Sequence, residues 1–587
     1  MAARSGMLRS ESFGRIVLPL LLLGVGLLRL VNLGFIDMQA WDEGLYAVRA
    51  WGILRYGGWL DQSPFAIDGL YSALHPPLYI WSSAVSFLLF GVNEFAARLP
   101  SALCGAATTL LVYLIGRRLG GMRIGAVAAL LFALNPFVDF YARQAQFDSM
   151  LLFFLALAVH LALVARERPS LLYPALCGAA IGAALMTKLF VAGVMLPVYV
   201  AWIFVLPAGE RGRGFRNLLV MISAALAVAL PWHAFMVLRH GGGDPLFLLQ
   251  QSQMFDRVVH GIEGNEKSPF YFFNQMLVLF PCGVAWCAYG LVRLFRESDP
   301  GWKLLGIWFG VFFAVFSAMS TKLEFYLLPM LVPGALIGAR ELVRARQGLL
   351  PRRTLALLVG ATLAAVAWAL RQEWRTGVKA FAADLLRLRP GLAESSLEIL
   401  PLLGLLALAA VVTALLLRRD PPAALNRALP ALILVPAFLV SVSTMFVSDR
   451  TRDDNGGRAL ARFVEQGGFR DLVAVGFERN PQISYYLGGV DIGWRDDIAF
   501  RRLKPPADTS QFREWFARQA AAGGDSTLYV WENDKLMRHQ VLAPGVFMPA
   551  GYDLVFSSYR YSAFLRNRGA AIAAGDPEND IQALEEN

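Results

Sequence analysis

Long apolar runs recur along this chain and limit what it can fold into. Many of them approach the roughly 20 residues that an α-helix needs to cross a bilayer. Hydrophobic residues make up 56% of the 587 residues and charged residues only 17%, with a mean hydropathy of +0.49. A soluble protein of this length does not need so much apolar sequence. The sequence therefore predicts a polytopic α-helical membrane protein.

The net charge of +10 does not indicate a nucleic-acid-binding protein, because the basic residues lie mainly in short loops between apolar runs. That distribution is the positive-inside pattern of membrane proteins. The basic segment 1–15 resembles the start of a signal peptide, but no clear cleavage site follows, so we expect an uncleaved first span. The four cysteines lie in apolar segments without a C-x-x-C pair, which indicates neither a zinc knuckle nor a disulfide framework.

The apolar segment Pro76–Gly91 decides the predicted topology. It is only 16 residues long, which leaves open a short span or a helix in the membrane interface. If it does not cross, every arginine-rich loop falls on the cytoplasmic side, so we expect a surface or re-entrant helix. About thirteen spans follow. They lie near 16–35, 97–116, 123–138, 149–165, 171–187, 189–206, 217–237, 271–292, 303–319, 325–343, 354–370, 398–417 and 428–447.

The chain is expected to form two domains. Residues 1–447 form a transmembrane domain whose external loops, about 36–96 and 238–270, carry the chemistry. Hydropathy falls after residue 448, and residues 448–567 are expected to form a small external, periplasmic α/β domain before a disordered acidic tail at 568–587. In that domain the sequence predicts strands at 472–475, 527–531 and 553–558, and helices at 456–466 and 510–522. No Walker motif or glycine-rich nucleotide loop occurs, so no nucleotide cofactor is expected.

Two carboxylates, Asp42 and Glu43, follow the first span directly, between Trp41 and Tyr46. On a helix, adjacent side chains diverge by about 100°, so one can face a cavity while the other holds the loop or a metal. The alternative is an acidic first turn of an ordinary helix. Asp148 begins the fourth span, either as a helix N-cap or as a further carboxylate of the same external cavity.

Several other polar residues are expected at outer span ends. His75 precedes two prolines that stiffen the backbone, so it is either an interfacial histidine or a ligand aimed into the cavity. Lys188 and Lys322 lie where the positive-inside rule disfavours lysine. Each of them either snorkels at the interface or binds a phosphate, and Arg257 is a candidate to join them.

No residue spacing indicates a metal site. The 238–270 loop holds scattered histidines and acids, and Phe247–Val259 is expected to form an amphipathic surface helix. No cofactor is therefore assigned. A divalent metal ion stays a candidate, with Glu43, His75 and His260 as its candidate ligands.

The predicted external face thus combines carboxylates with several cations. A carboxylate suits general-base activation of a hydroxyl group. The cations suit a phosphate that is bound or leaving. A donor with a phosphate leaving group and a lipid tail fits this combination, because it reaches the site laterally from the bilayer.

Seven motifs lie in order along residues 15–340. They are Trp41-Asp42-Glu43 with Tyr46, His75-Pro76-Pro77-Leu78-Tyr79, Phe90–Pro100, Asp148, Thr187-Lys188, Pro231-Trp232 and Thr321-Lys322-Leu323-Glu324-Phe325-Tyr326-Leu327-Leu328-Pro329. Together they resemble the family 39 C-type glycosyltransferases, which include protein O-mannosyltransferases and ArnT-like aminoarabinose transferases. The later spans and the α/β domain resemble that family in layout only.

The resemblance implies an enzyme that transfers a sugar, with inversion, from a polyprenyl-phosphate donor. The implied acceptor is a lipid A or lipopolysaccharide-type lipid, a glycan or a protein at the outer face of the bacterial inner membrane. Asp42 would be the catalytic base or its close partner beside Glu43, and Asp148 the second cavity carboxylate. The residues implied near the donor phosphate are Lys188, Arg257, Lys322 and Tyr326, and those lining the substrate cavity are Tyr46, His75, Tyr79 and Glu324.

Two positions differ from the ArnT-like pattern, since His75 stands where lysine is frequent and Leu45 where arginine is frequent. Aminoarabinose is therefore not indicated, and the sugar stays open. Two other functions also stay open. A transporter or flippase of a lipid-linked saccharide predicts inverted repeats and midplane charges, which the sequence does not display. A polysaccharide polymerase or ligase would use the same face with a longer donor.

Overall fold

The structure is a computed structural model. It describes residues 18–39, 42–67, 69–244, 247, 267–373, 456–475, 481–490, 493–503, 515–516, 518–519, 526–532, 552–557 and 561–566. Several expected features lie outside the described residues, namely Arg257, His260, the predicted spans 398–417 and 428–447, the tail after 567, and most of the expected helices at 247–259 and 510–522.

Two compact units divide the chain. The helical unit consists of Met1–Leu33, Ala73–Gly91 and Arg98–Asp449, and the α/β unit of Gly34–Ser72, Val92–Ala97 and Arg450–Asn587. The segment that carries Asp42 and Glu43 is therefore grouped with the C-terminal residues.

The helices before residue 374 are, in chain order, α1 Leu18–Leu27, α2 Asp42–Tyr56, α3 Leu70–Ala73, α4 Leu78–Phe90, α5 Glu94–Gly120, α6 Met122–Ala133, α7 Pro136–Ala142, α8 Asp148–Glu167, α9 Leu172–Leu185, α10 Leu189–Gly193, α11 Met195–Val205, α12 Ala208–His240, α13 Tyr271–Leu279, α14 Val284–Leu294, α15 Pro300–Ala318, α16 Leu328–Arg346 and α17 Arg352–Glu373. Short 3-10 helices cover Leu28–Leu30, Ser63–Phe65 and Glu324–Leu327.

The expectation of a helical membrane protein is confirmed. Within the described ranges, six helical segments are long and apolar enough to cross a bilayer, or seven if α6 and α7, bent by 67°, count as one broken span. The six are Glu94–Gly120, Asp148–Glu167, Ala208–His240, Pro300–Ala318, Glu324–Arg346 and Arg352–Ala369. The count of thirteen is not confirmed, and α4 at 13 residues spans only about 20 Å.

Several expected spans are broken where the sequence gives a physical reason. The span expected at 123–138 ends at Ala133, because Pro136 lacks the N–H that a continuous helix needs. Asn135 caps the new helix α7 by accepting hydrogen bonds from the N–H groups of Phe137 and Val138. The span expected at 271–292 is likewise divided into α13 and α14.

The centre of the helical unit is the segment Glu324–Arg346, whose apolar window is 94% buried, against 33% for the window of α12. Small residues bring helices into close contact. A Cβ on Gly116 of α5 would lie 2.7 Å from the Cα of Gly125 on α6, so these two backbones touch. Close packing of this kind holds membrane helices together where lipid removes the hydrophobic driving force.

The α/β unit contains a five-stranded sheet. Its strands are β1 Asp471–Val475, β2 Ala499–Leu503, β3 Thr527–Glu532, β4 Tyr552–Ser557 and β5 Tyr561–Arg566, in the order β2-β1-β3-β5-β4. Strand β1 pairs in parallel with β2 and β3, and the other pairs are antiparallel. Helix α18, Gly457–Gln466, packs its Leu460 with Leu472 of β1, while Val473 faces the opposite cluster.

Helix α2 packs in this unit against a short helix, α19, which covers Pro481–Tyr486. A Cβ on Gly44 would lie 2.6 Å from the carbonyl carbon of Pro481 and 2.7 Å from the nitrogen of Gln482. Only glycine allows this approach. The residue beside the acidic pair thus lets C-terminal residues pack directly on the start of α2.

Candidate functional site

An ion pair connects two residues that the sequence analysis selected separately. Asp148 is the first residue of α8, and Lys188 is the extended residue that precedes α10. The Nζ of Lys188 lies 2.9 Å from Oδ1 of Asp148, and the two side chains are 20% and 7% exposed. The pair is thus largely removed from solvent, which strengthens the attraction between its charges.

Three aromatic rings surround the Lys188 ammonium. Its Nζ lies 4.7 Å from the ring centroid of Phe147, 4.4 Å from that of Phe325 and 5.6 Å from that of Tyr326. Aromatic faces attract a cation without neutralising it. We call Phe147, Asp148, Lys188, Phe325 and Tyr326 the Lys188 cluster.

The turn at His75 packs next to this cluster. The N–H of Leu78 donates to the carbonyl of Met186, two residues before Lys188, over 3.1 Å. The His75 ring meets the Phe147 ring edge to face at 6.1 Å. Two stiff prolines and one backbone hydrogen bond therefore place His75 beside the lysine.

Tyr79 lies beneath this surface, since its side chain is only 1% exposed. Its hydroxyl donates to Ser101 Oγ at 3.2 Å, and the Ser101 hydroxyl donates to the carbonyl of Gln146 at 2.7 Å. These contacts tie α4 and α5 to the residues just before Asp148. Tyr79 thus helps to hold the residues that precede Asp148 in place.

The segment between α15 and α16 contains the remaining predicted residues of this unit. Lys322 is 2% exposed, and its ammonium donates a hydrogen bond to the carbonyl of Met319. Burial lowers the pKa of Lys322. Glu324 is exposed, whereas the Tyr326 ring is buried and stacks on Phe316 at 5.0 Å. Tyr326 is in the Lys188 cluster, and Lys322 is used to hold its own loop.

One buried charge group was not selected from the sequence as a site. Arg29 is 2% exposed, pairs with Asp139 at 3.3 Å and donates to the carbonyl of Ala133 at 3.1 Å. Arg143 in turn donates to the carbonyls of Arg29 and Val31. The available signal was an arginine inside an apolar run, which is costly unless it has partners. These contacts fix the bend between α6 and α7.

In the α/β unit, the two adjacent acids have different surroundings. Glu43 is 0% exposed, and its Oε2 accepts a 2.6 Å hydrogen bond from the N–H of Gln39. Asp42 is only partly buried at the first position of α2, and Tyr46 is 3% exposed. Glu43 therefore holds the loop, and Asp42 is the more exposed of the two carboxylates.

C-terminal residues hold the segment before Asp42. The N–H of Met38 donates to the hydroxyl of Tyr486 at 2.8 Å, and that hydroxyl donates to Glu94 at 2.8 Å. Arg458 pairs with Glu94 at 2.5 Å and with Asp37 at 3.2 Å. Burial and the nearby Glu94 carboxylate raise the pKa of Tyr486 above its usual value. The partners in this network lie more than 360 residues apart in sequence, so no local sequence pattern predicts the network.

No group of three or more His, Cys, Asp or Glu side chains suited to a metal ion occurs among the described residues. Of the candidate ligands, Glu43 accepts the Gln39 hydrogen bond and His75 packs on Phe147. His260 falls outside the described ranges, as does Arg257.

Comparisons with known proteins agree with this fold. A family model described as dolichyl-phosphate-mannose-protein mannosyltransferase matches residues 74–235, which include His75, Tyr79, Asp148 and Lys188. The crystal structure of ArnT from Cupriavidus metallidurans bound to undecaprenyl phosphate superposes with a TM-score of 0.64 at 18% identity, covering 95% of this chain and 99% of that chain. The predicted family resemblance is confirmed. The chain has the fold of the C-type membrane glycosyltransferases.

Another solved structure and two curated relatives are also similar to this chain. The Archaeoglobus fulgidus oligosaccharyltransferase superposes on this chain with a TM-score of 0.50 at 13% identity, covering 89% of this chain and 70% of that one. Two curated relatives from Pseudomonas fluorescens Pf0-1 are undecaprenyl phosphate-α-4-amino-4-deoxy-L-arabinose arabinosyl transferases 1 and 2. They are 29% and 32% identical over 316 and 352 residues, which is 52% and 57% of this chain. The chain spans only 53% and 61% of the length of those relatives.

Proposed function

We propose that this chain is a membrane glycosyltransferase. It moves a sugar from a polyprenyl-phosphate donor to a hydroxyl or phosphate acceptor, with inversion, at the periplasmic face of the bacterial inner membrane. The observation that carries the proposal is the Lys188 ammonium, paired with Asp148 and surrounded by three aromatic rings. Such a group provides a largely buried cation for a phosphate.

The lysine has hydrogen-bonding capacity for a ligand. An ammonium has three N–H donors, and in the described structure Asp148 accepts one of them. The remaining donors suit the oxygens of a lipid phosphate, and the Tyr326 hydroxyl is a neighbouring polar group. The relatives named above, whose names include undecaprenyl phosphate, support a donor of this chemistry.

For a hydroxyl acceptor, Asp42 takes the proton from the attacking oxygen. That oxygen forms a bond to the anomeric carbon while the bond from this carbon to the donor phosphate oxygen breaks. The phosphate leaves with the electron pair, and the Lys188 cation stabilises the developing negative charge. A phosphate group leaves without protonation, so the step needs no separate general acid.

Glu43 and Tyr486 serve this reaction by positioning. Glu43 holds the backbone of Gln39, and Tyr486 holds the backbone of Met38, so both fix the segment that ends at Asp42. A base held within a few tenths of an ångström works faster than a mobile one.

The direct test reconstitutes the full chain in liposomes that contain a polyprenyl-phosphate-linked sugar and an extract of bacterial envelope lipids. Transfer predicts that free polyprenyl phosphate accumulates and that an acceptor gains the mass of the sugar, both read by mass spectrometry. Movement of an intact lipid-linked sugar across the bilayer without release of polyprenyl phosphate would refute the transferase and favour the flippase. Comparing the envelope lipids of cells with and without the chain then identifies the sugar and the acceptor.

A further inference from the structure

A cavity of about 540 Å³ opens at the arginine-rich helix ends of the helical unit. It lies between the ends of α5 and α16 and the starts of α6 and α15. Its polar side chains are Arg123, Arg340, Arg344 and Gln347, and no carboxylate lines it among the described residues. A wall of cationic donors favours an anion.

One of these arginines is held rigidly in place. Arg340 pairs with Glu297, and its guanidinium carbon lies 4.6 Å from the ring centroid of Trp302. Trp302 is 4% exposed and donates its indole N–H to the carbonyl of Leu119. The guanidinium therefore has a fixed orientation at the wall of the cavity.

The other arginines leave an excess of positive charge. Arg344 Nε lies 3.5 Å from Glu341 Oε2, and Arg293 Nη1 lies 3.5 Å from the same oxygen. Two guanidinium groups thus share one carboxylate. Arg123, which is exposed at the start of α6, adds a further cation.

The backbone adds donors to these side chains. Gly121 occupies the N-cap position of α6 with φ +91°, and it has no side chain to accept the N–H groups of the first turn. The first N–H groups of a helix and the positive end of its dipole favour an anion at this position.

The cavity lies at the edge of the bilayer, since the segments Glu94–Gly120, Pro300–Ala318 and Glu324–Arg346 are candidate spans whose ends surround it. Apolar side chains flank it, with Met122 40% exposed and Leu349 56% exposed. We propose that this cavity binds the phosphate headgroup of an anionic phospholipid from the leaflet on the arginine-rich side. The flanking apolar residues then contact the acyl chains. This site does not depend on the proposed transferase activity.

Native mass spectrometry of the full chain in detergent tests the site, with phosphatidylglycerol and phosphatidylcholine titrated separately. We expect phosphatidylglycerol to bind in preference to phosphatidylcholine. The double variant Arg123→Gln/Arg344→Gln should need about tenfold more phosphatidylglycerol for half occupancy. The matched control is Arg353→Gln. Arg353 is exposed near the start of α17 and does not line the cavity, so this variant should bind phosphatidylglycerol like the unchanged chain.

Any of three results would overturn the proposal. The first is that the double variant binds phosphatidylglycerol as well as the unchanged chain does. The second is that phosphatidylcholine binds as well as phosphatidylglycerol, and the third is that free glycerol 3-phosphate displaces the lipid at an equal concentration. The last result would identify a soluble phosphate as the ligand. If the double variant does not fold, Arg123→Gln alone, at an exposed position, should weaken phosphatidylglycerol binding about threefold, and unchanged binding of that variant refutes the site.

Discussion

The ion pair between Lys188 and Asp148 gives a quantitative prediction. At 2.9 Å, the attraction between the two charges is about 6 kcal/mol for an effective dielectric constant near 20. The cost of removing both groups from water offsets much of it. Replacing Lys188 by Met leaves the Asp148 carboxylate, which is only 7% exposed, without this partner. We expect that variant to be destabilised by about 3 kcal/mol, at the lower end for a broken buried pair because Lys188 is partly exposed.

The assay is a double-mutant cycle of Lys188→Met, Asp148→Asn and the double variant, read as thermal unfolding of purified protein in detergent. Because the double variant contains no uncompensated carboxylate, it should be more stable than Lys188→Met alone. The coupling energy should be about 1–3 kcal/mol. All three variants should also lose about a hundredfold or more in turnover, since each removes or reorients the cation assigned to the phosphate. Additive destabilisation together with near-normal turnover would refute both the pairing and its role.

Three further predictions follow from single contacts. Tyr486→Phe removes the hydrogen bond to the Met38 N–H and should lower kcat about tenfold with little change in KM, measured in liposomes; an unchanged kcat contradicts the positioning role. Gly44→Ala should destabilise the fold by about 1–3 kcal/mol, because its Cβ would lie 2.6 Å from Pro481; a melting temperature equal to that of the unchanged chain contradicts this packing. Burial lowers the pKa of Lys322, so the unfolded chain binds the proton more tightly and stability rises with pH toward the usual lysine value; the melting temperature relative to Lys322→Met should therefore rise at alkaline pH, and a fall contradicts the assignment.

The sequence predicted the fold class well because apolar length is a local property. Apolar runs identify membrane helices wherever they are long enough, and the strands at β1, β3 and β4 stand out by their β-branched and aromatic residues. Strand β2 was missed because its residues include Arg501 and Arg502 and show no apolar alternation, as suits a strand at the edge of the sheet. Strand β5 was also missed.

The candidate site was only partly predictable. Asp148, Lys188 and Tyr326 were each selected from the sequence, but nothing local indicates that their side chains meet or that Phe147 and Phe325 enclose the lysine. Lys322 looks equivalent to Lys188 in sequence, yet its ammonium is used by its own loop. The sequence also did not show that Glu43 is fully buried while Asp42 is only partly buried.

Long-range packing explains the features that sequence reasoning missed. The contact of Tyr486 with Met38 joins residues 448 positions apart, so no window of sequence contains both. Pro136 was a signal for the break before α7, whereas the division between α13 and α14 was not expected.

The turnover of Asp42→Asn tests the central claim most directly. Asparagine keeps the size and hydrogen-bonding shape of the side chain and removes its ability to take a proton. Purified Asp42→Asn should retain the melting temperature of the unchanged chain and lose at least about a hundredfold in release of polyprenyl phosphate from a lipid-linked sugar with a hydroxyl acceptor. A folded Asp42→Asn variant with turnover within about twofold of the unchanged chain would contradict the assignment of Asp42 as the base.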